Sequence, residues 1–199
     1  VALPNNTNKI IYSSDGILWK ESTIPITNAS HLTYDPHYDT MCAISKDTLE
    51  YAISAPPSGS SISWNTITMP DTYKFGKCVY YPGDIDTFYV FARDKNKVKR
   101  SSDGGITWSD HTLNKTLYVY IDDRFKNYCI IESLNRIVLY TEYNNIGSIV
   151  GIAPDSLHIK GELQLNKSPN FGQYNENYHV MSWSEELQKI FIPGSTRMQ

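Results

Sequence analysis

The sequence predicts an all-β protein, a small β-propeller of four to five blades with four antiparallel strands in each. Three observations carry that expectation. A β-run, a turn of small residues and a tryptophan recur in "IIYSSDGILWKESTIP", "YAISAPPSGSSISWNTITMP" and "VKRSSDGGITWSDHTLN". Trp19, Trp64 and Trp108 stand 45 and 44 residues apart, and an apolar residue follows each five positions later at Ile24, Met69 and Leu113. That period suits one four-stranded blade. Between these units runs a second pattern of apolar strand, acidic turn and apolar strand, whose period-two alternation marks hairpins and not helices.

Taken in order, the tryptophan-type halves begin near residues 10, 51, 98 and 137, and the acidic-turn halves near 32, 78, 117 and 180. In the acidic-turn halves an aromatic closes the first strand (Tyr34, Tyr81, Tyr120, Trp183), and Cys42, Tyr89, Cys129 and Phe191 take matching places in the second. The half near 137, "NRIVLYTEYNNIGSIV", has lost its tryptophan. Residues 141–179 are left to hold an outer strand and an insertion, or a degenerate fifth blade. The last acidic-turn half has no following partner unless the N-terminal strands supply it. Pairing the two chain ends in that way would close the ring and hide sheet edges that otherwise invite aggregation. No low-complexity linker divides the chain, so residues 1–199 read as a single domain; a start at Val1 suggests a piece of a longer chain or a processed one.

Composition narrows the function classes. A chain of 199 residues with 13% aromatics can bury a substantial core. Its net charge of −3 gives no general basic field for nucleic acid. No apolar stretch approaches membrane-spanning length, so no membrane insertion is expected. Cys42, Cys78 and Cys129 cannot all pair with one another, and each lies in an apolar alternating run, where a reduced, buried thiol packs well.

"SSDGGITW" at 101–108 fits S-x-D-x-G-x-T-W and resembles the Asp-box, or BNR repeat, of sialidase-like propellers. "SSDGILW" at 13–19 is a shorter variant, and "SAPPSGSSISW" at 54–64 keeps only the frame. The chemistry is that of a turn. Ser and Asp oxygens accept turn amides, Gly permits positive φ, and Trp offers a large apolar body. Ser13, Asp15, Gly16, Trp19, Trp64, Ser101, Asp103, Gly105, Thr107 and Trp108 are therefore expected to be structural. "WSEELQKIFI" in turn resembles the W-S-x-E-L-x-x-F repeat in propeller domains of phage and other viral structural proteins, which implies a receptor-binding or spike role.

No catalytic constellation emerges. A sialidase would need an arginine triad on six blades. The arginines here (Arg93, Arg100, Arg124, Arg136, Arg197) carry no R-I-P motif, and the chain is short for six blades. Nucleophile elbows, P-loops and dinucleotide fingerprints are missing as well. The expectation is no enzyme. Carboxylates Asp35/Asp39, Asp84/Asp86, Asp122/Asp123 and Glu185/Glu186 repeat with the acidic turn, where turn chemistry accounts for them. Such a rim also has the oxygen chemistry of a Ca²⁺ site, although no motif demands a cofactor.

Propeller ligands commonly sit on the loops opposite the Asp-box turns. Here those loops offer Tyr73 and Phe75, a basic cluster of Arg93, Lys95 and Lys97, and Phe171, Tyr174, Asn175 and Tyr178 in "NFGQYNENYH". Aromatic faces with amide side chains suit glycans or protein surfaces, and the basic cluster suits an anionic sugar. The expected function is non-catalytic recognition of a host-cell surface glycan or protein by a spike domain, in an extracellular or virion-surface setting. Assembly with other structural chains of a parent particle is the alternative, with a glycoside hydrolase behind it.

Overall fold

The computed structural model describes residues 8–13, 15–45, 50–54, 62–68, 75–83, 87–92, 95–117, 128–143, 146–164 and 181–191. The first sheet comes after an N-terminal hairpin of β1 (Lys9–Tyr12) and β2 (Lys20–Thr23). It consists of β3 (Ala29–Asp35), β4 (Thr40–Ser45), β5 (Glu50–Ser54) and β6 (Trp64–Thr68). The second holds β7 (Phe75–Tyr81), β8 (Thr87–Ala92), β9 (Lys95–Ser101) and β10 (Ser109–Leu117). The third holds β11 (Tyr128–Ile131), β12 (Arg136–Tyr143), β13 (Ile146–Ala153) and β14 (His158–Gln164), and a final hairpin joins β15 (Ser182–Ser184) to β16 (Lys189–Phe191). Strands are neighbours in chain order within each four-stranded sheet. The terminal hairpins form two-stranded sheets, and a ladder joining them is not among the described pairings.

The chain forms two compact units, Val1–Arg93 with Val98–Asp110, and Asp94–Lys97 with His111–Gln199. In the first unit the sheet β3–β6 is covered on both faces. Ile10, Ile24 and Ile26 pack with Met41, Ala43 and Ala52 on one side. On the other, Cys42, Ile44, Tyr51 and Ile53 meet Cys78, Phe88 and Val90. This is why β4 is buried at every position, without the polar alternation of a half-exposed strand; β8, which offers Phe88 and Val90 to the first sheet, is likewise buried throughout. The Thr33 hydroxyl ties the two sheets together by accepting the Tyr80 amide at 3.1 Å. Burial places the thiol of Cys78, which also meets that of Cys42, well above its ordinary range and leaves it a packing group.

Four of the described hairpin turns share one device. Asp39, Asn135, Leu157 and Gln188 each adopt left-handed φ, between 50° and 52°, just before the returning strand. At the first of these turns the Asp35 carboxylate accepts the amides of His37 (2.8 Å) and Tyr38 (3.2 Å), the Asx chemistry expected of the acidic turn.

In the second unit Cys129, Ile131, Val138 and Tyr140 pack with Met181, Trp183 and Ile190. Its strands β10 and β14 are joined by the Ile159 amide on Asn114 Oδ1 at 2.9 Å and by the ion pair of Lys115 with Glu162. The third sheet corrects the expected phase. Cys129 lies in its first described strand, not in a second one, and the turn that follows is a short 3₁₀ segment, Glu132–Leu134. Residues 135–153 are thus the middle hairpin, and the 141–164 stretch completes this sheet through β13 and β14 without opening a further blade. The apolar alternation of "YCII" and "IVLY" is equally compatible with either phase, because neither strand carries a marker of its rank in the sheet.

Phe88 is fully buried between the first two sheets and packs edge-on to Tyr80. Phe88→Ala is expected to cost about 3–5 kcal/mol in urea-induced unfolding, the usual loss for a core aromatic.

Candidate functional site

The turns of the first unit concentrate its ordered polar chemistry. At residues 13–19 the Ser13 hydroxyl donates to Asp15 Oδ1 (2.9 Å) and accepts the Gly16 amide (2.8 Å). The same Asp15 oxygen accepts the amides of Ile17 (2.8 Å) and Leu18 (2.9 Å). These bonds, with the Leu18 amide foremost, hold the Asp15 carboxyl below its ordinary range. Gly16 supplies φ +73°, and no atom lies within 4 Å of where its Cβ would stand.

The turn at 101–108 is one residue longer and is seated on the first sheet. Ser101 Oγ donates to Asp103 Oδ1 (2.8 Å) and accepts the Gly105 amide (2.9 Å). Asp103 accepts both the amide of Thr107, at 2.9 and 3.0 Å, and its hydroxyl. Partial burial works to raise the Asp103 carboxyl, but the bonds from Thr107 and Ser101 outweigh it and the net direction is downward. Gly105, at φ +89°, lies so close to β5 that a Cβ there would meet Ile53 Cδ1 at 2.5 Å. Trp108 donates its indole N–H to the Gly105 carbonyl (3.0 Å) and meets Tyr51 edge-on, with ring centroids 5.2 Å apart. Trp108 therefore packs on the neighbouring sheet, whereas Trp19 remains 56% exposed.

Beside this second turn lies the β3–β4 hairpin. Tyr38 packs over Gly104 and turns its hydroxyl toward the Ser102 carbonyl (3.5 Å). His37 lies edge-on to the Tyr38 ring at 4.8 Å. Tyr34 donates to Asp39 Oδ1 at 2.7 Å, and that bond is the main reason its phenol sits above the ordinary tyrosine range. Tyr34 and Tyr38 stay 42% and 39% exposed, and Ile106 at the adjoining tip 78%. This aromatic group was not singled out from sequence. Its signal was "TYDPHYD", where two tyrosines flank a turn already capped by Asp35.

Of the loop residues expected to bind ligand, Phe75, Lys95 and Lys97 lie within described strands. Tyr73, Arg93, Phe171, Tyr174, Asn175 and Tyr178 lie outside the described residues, as do Asp84, Asp86, Asp122 and Asp123. Phe75 opens β7, Lys95 is exposed at the start of β9, and Lys97 donates to the Thr112 hydroxyl at 3.0 Å. Trp64 opens β6 and packs against the Ile10 cluster. Glu185 is held below its ordinary range, chiefly by the Ser133 hydroxyl. Among the described residues no group of three or more His, Cys, Asp or Glu side chains could hold a metal ion.

No family model and no curated protein matches the sequence. Among solved structures, the periplasmic gluconolactonase of Pseudomonas aeruginosa is similar in fold, with 11% identity and a TM-score of 0.50 over 74% of this chain. The chain spans 42% of that protein's length. The likeness, with the four-stranded antiparallel sheets, shows a β-propeller fold. It also corrects the expectation of no enzyme, because the fold neighbour is itself an enzyme. Turns that serve only to hold blades rigid are compatible with catalysis elsewhere on the same fold, so their structural role cannot exclude it. Among the described residues no helix is long and apolar enough to cross a membrane.

Two stability predictions follow from this geometry. Gly105→Ala is expected to lose about 2–4 kcal/mol through its contact with Ile53 and its positive φ, against about 1 kcal/mol for the unobstructed Gly16→Ala; denaturant midpoints would rank them. A carboxyl lowered by folding adds stability above its unfolded pKa, and that contribution fades as pH falls through the folded value. Wild type should therefore lose stability below about pH 4 more steeply than Asp103→Asn, which is weaker at neutral pH but flatter in acid, as thermal melts between pH 2 and 7 would show.

Proposed function

We propose that this chain is a recognition propeller that binds a glycan or protein on a host-cell surface. The observation that carries the reading is a set of exposed apolar and aromatic side chains, Ile17, Leu18, Trp19, Tyr34, Tyr38 and Ile106, on turns held rigid by their own hydrogen bonds. Large side chains that are already ordered lose little entropy on contact, which favours their use in binding. The Asp-box reading of residues 13–19 and 101–108 supports a scaffold of this kind, and the viral resemblance of "WSEELQKIFI" supports a place on an attachment structure. An extracellular or particle-surface setting accords with the periplasmic location of the fold neighbour.

A second reading, hydrolysis of a sugar lactone, is favoured by that neighbour being a gluconolactonase. Both are tested on one preparation. Labelled protein is applied to a glycan array and to host cells, and proton release from glucono-δ-lactone is followed in a pH-stat. The recognition reading expects saturable binding, and the hydrolytic reading expects proton release above the buffer rate. Lactone turnover without binding would replace the recognition reading with the hydrolytic one.

A further inference from the structure

The two adjoining turns of the first unit, 34–40 and 102–107, have the makings of a defined ligand site on the side of the Asp-box turns, not on the loops that sequence pointed to. Tyr38 is wedged between Gly104 beneath and His37 at its edge, so its ring is positioned before any ligand arrives. Tyr34 is tethered through its hydroxyl to Asp39, which fixes a second exposed ring and orients the carboxylate. Ile106, on the adjoining turn, is an exposed apolar side chain. Exposed Asp39 retains acceptor capacity beyond its bond from Tyr34, since a carboxylate offers about four lone-pair positions.

Charge selects among ligands. The two turns contain three carboxylates, Asp35, Asp39 and Asp103, and no lysine or arginine. An anionic sugar or a phosphate would meet like charge here. A neutral pyranose would not. Its C–H face can lie on an aromatic ring while its hydroxyls donate to carboxylate and carbonyl oxygens.

Resting on the recognition reading, we infer that Tyr34, Tyr38, Ile106 and Asp39 form a shallow site for an uncharged hexose, in which Tyr38 is the main stacking platform and Asp39 the main acceptor. Tyr38→Phe keeps the platform and forfeits only the long contact to Ser102. Tyr38→Ala removes the platform. The site is exposed, so neither change strips a core contact.

The test is an array of galactose-, glucose- and mannose-terminated probes beside sialylated and sulphated ones, followed by titration calorimetry with the best probe on wild type, Tyr38→Ala, Tyr38→Phe and Asp39→Asn. Circular dichroism confirms that each variant is folded. The inference expects neutral probes to bind, an affinity loss of about tenfold or more for Tyr38→Ala, a several-fold loss for Asp39→Asn, and Tyr38→Phe within about twofold of wild type. Unchanged affinity in folded Tyr38→Ala would overturn the site while leaving glycan recognition standing. Binding confined to sialylated or sulphated probes would overturn it as well, in favour of the basic cluster at Lys95 and Lys97. Binding to cells with no array binding would overturn the saccharide ligand and leave protein recognition. Failure on both surfaces would remove the recognition reading itself.

Discussion

A carboxylate turned back on its own hairpin is the interaction on which the first unit depends. Asp103 gathers the amide and hydroxyl of Thr107 and the hydroxyl of Ser101, and Ser101 in turn accepts the amide of Gly105. Four groups that would otherwise need water are satisfied within one short loop. Only with the loop drawn in can Gly105 lie against Ile53 and Trp108 meet the edge of Tyr51. The fixed spacing of Ser, Asp, Gly, Thr and Trp is thus a packing requirement between two sheets as much as a turn requirement within one.

The turn at 13–19 shows what happens when the same chemistry is used without the seat. Asp15 holds its amides as Asp103 does, but one residue fewer moves the Ser acceptor from the fourth following amide to the third. Gly16 meets no neighbour, and Ile17, Leu18 and Trp19 are left exposed. Internal hydrogen bonding and tertiary seating are therefore separable. The first makes a tip rigid, and the second buries it. Rigid tips that stay exposed are the feature on which the proposed recognition role rests, and the tyrosines beside the seated turn extend that proposal to a specific ligand chemistry.

Much of this was legible in the sequence because its signals were local. The small-residue turns, the alternating strands and the role of Asp35 follow from chemistry within a few residues. The phase of the third sheet did not, since "YCII" and "IVLY" alternate alike and the tryptophan that marks the other units is missing there. Seating was equally hidden. Nothing within 101–108 says that Gly105 answers to Ile53, some fifty positions earlier, or that Tyr38 will lie over Gly104. The candidate site was overlooked for the same reason: its two halves come from turns distant in the chain, and sequence directed attention to aromatic-rich loops. The expectation against catalysis failed on a different point. It rested on the lack of an arginine triad, a nucleophile elbow and nucleotide-binding motifs, and it is overturned by a fold neighbour that is an enzyme, because one fold hosts many chemistries.

Amide hydrogen exchange at Gly105 tests the account most directly. Its N–H is buried and bonded to Ser101 Oγ inside a loop held by Asp103, so it should exchange only through cooperative opening, at a rate close to that of the core amides of β8. The amides of Ile17 and Leu18, bonded to Asp15 but unseated, should exchange faster than Gly105 and slower than an unstructured chain. Exchange of Gly105 at the unstructured rate would contradict the account, because it would mean that the carboxylate neither locks the turn nor seats it on the neighbouring sheet.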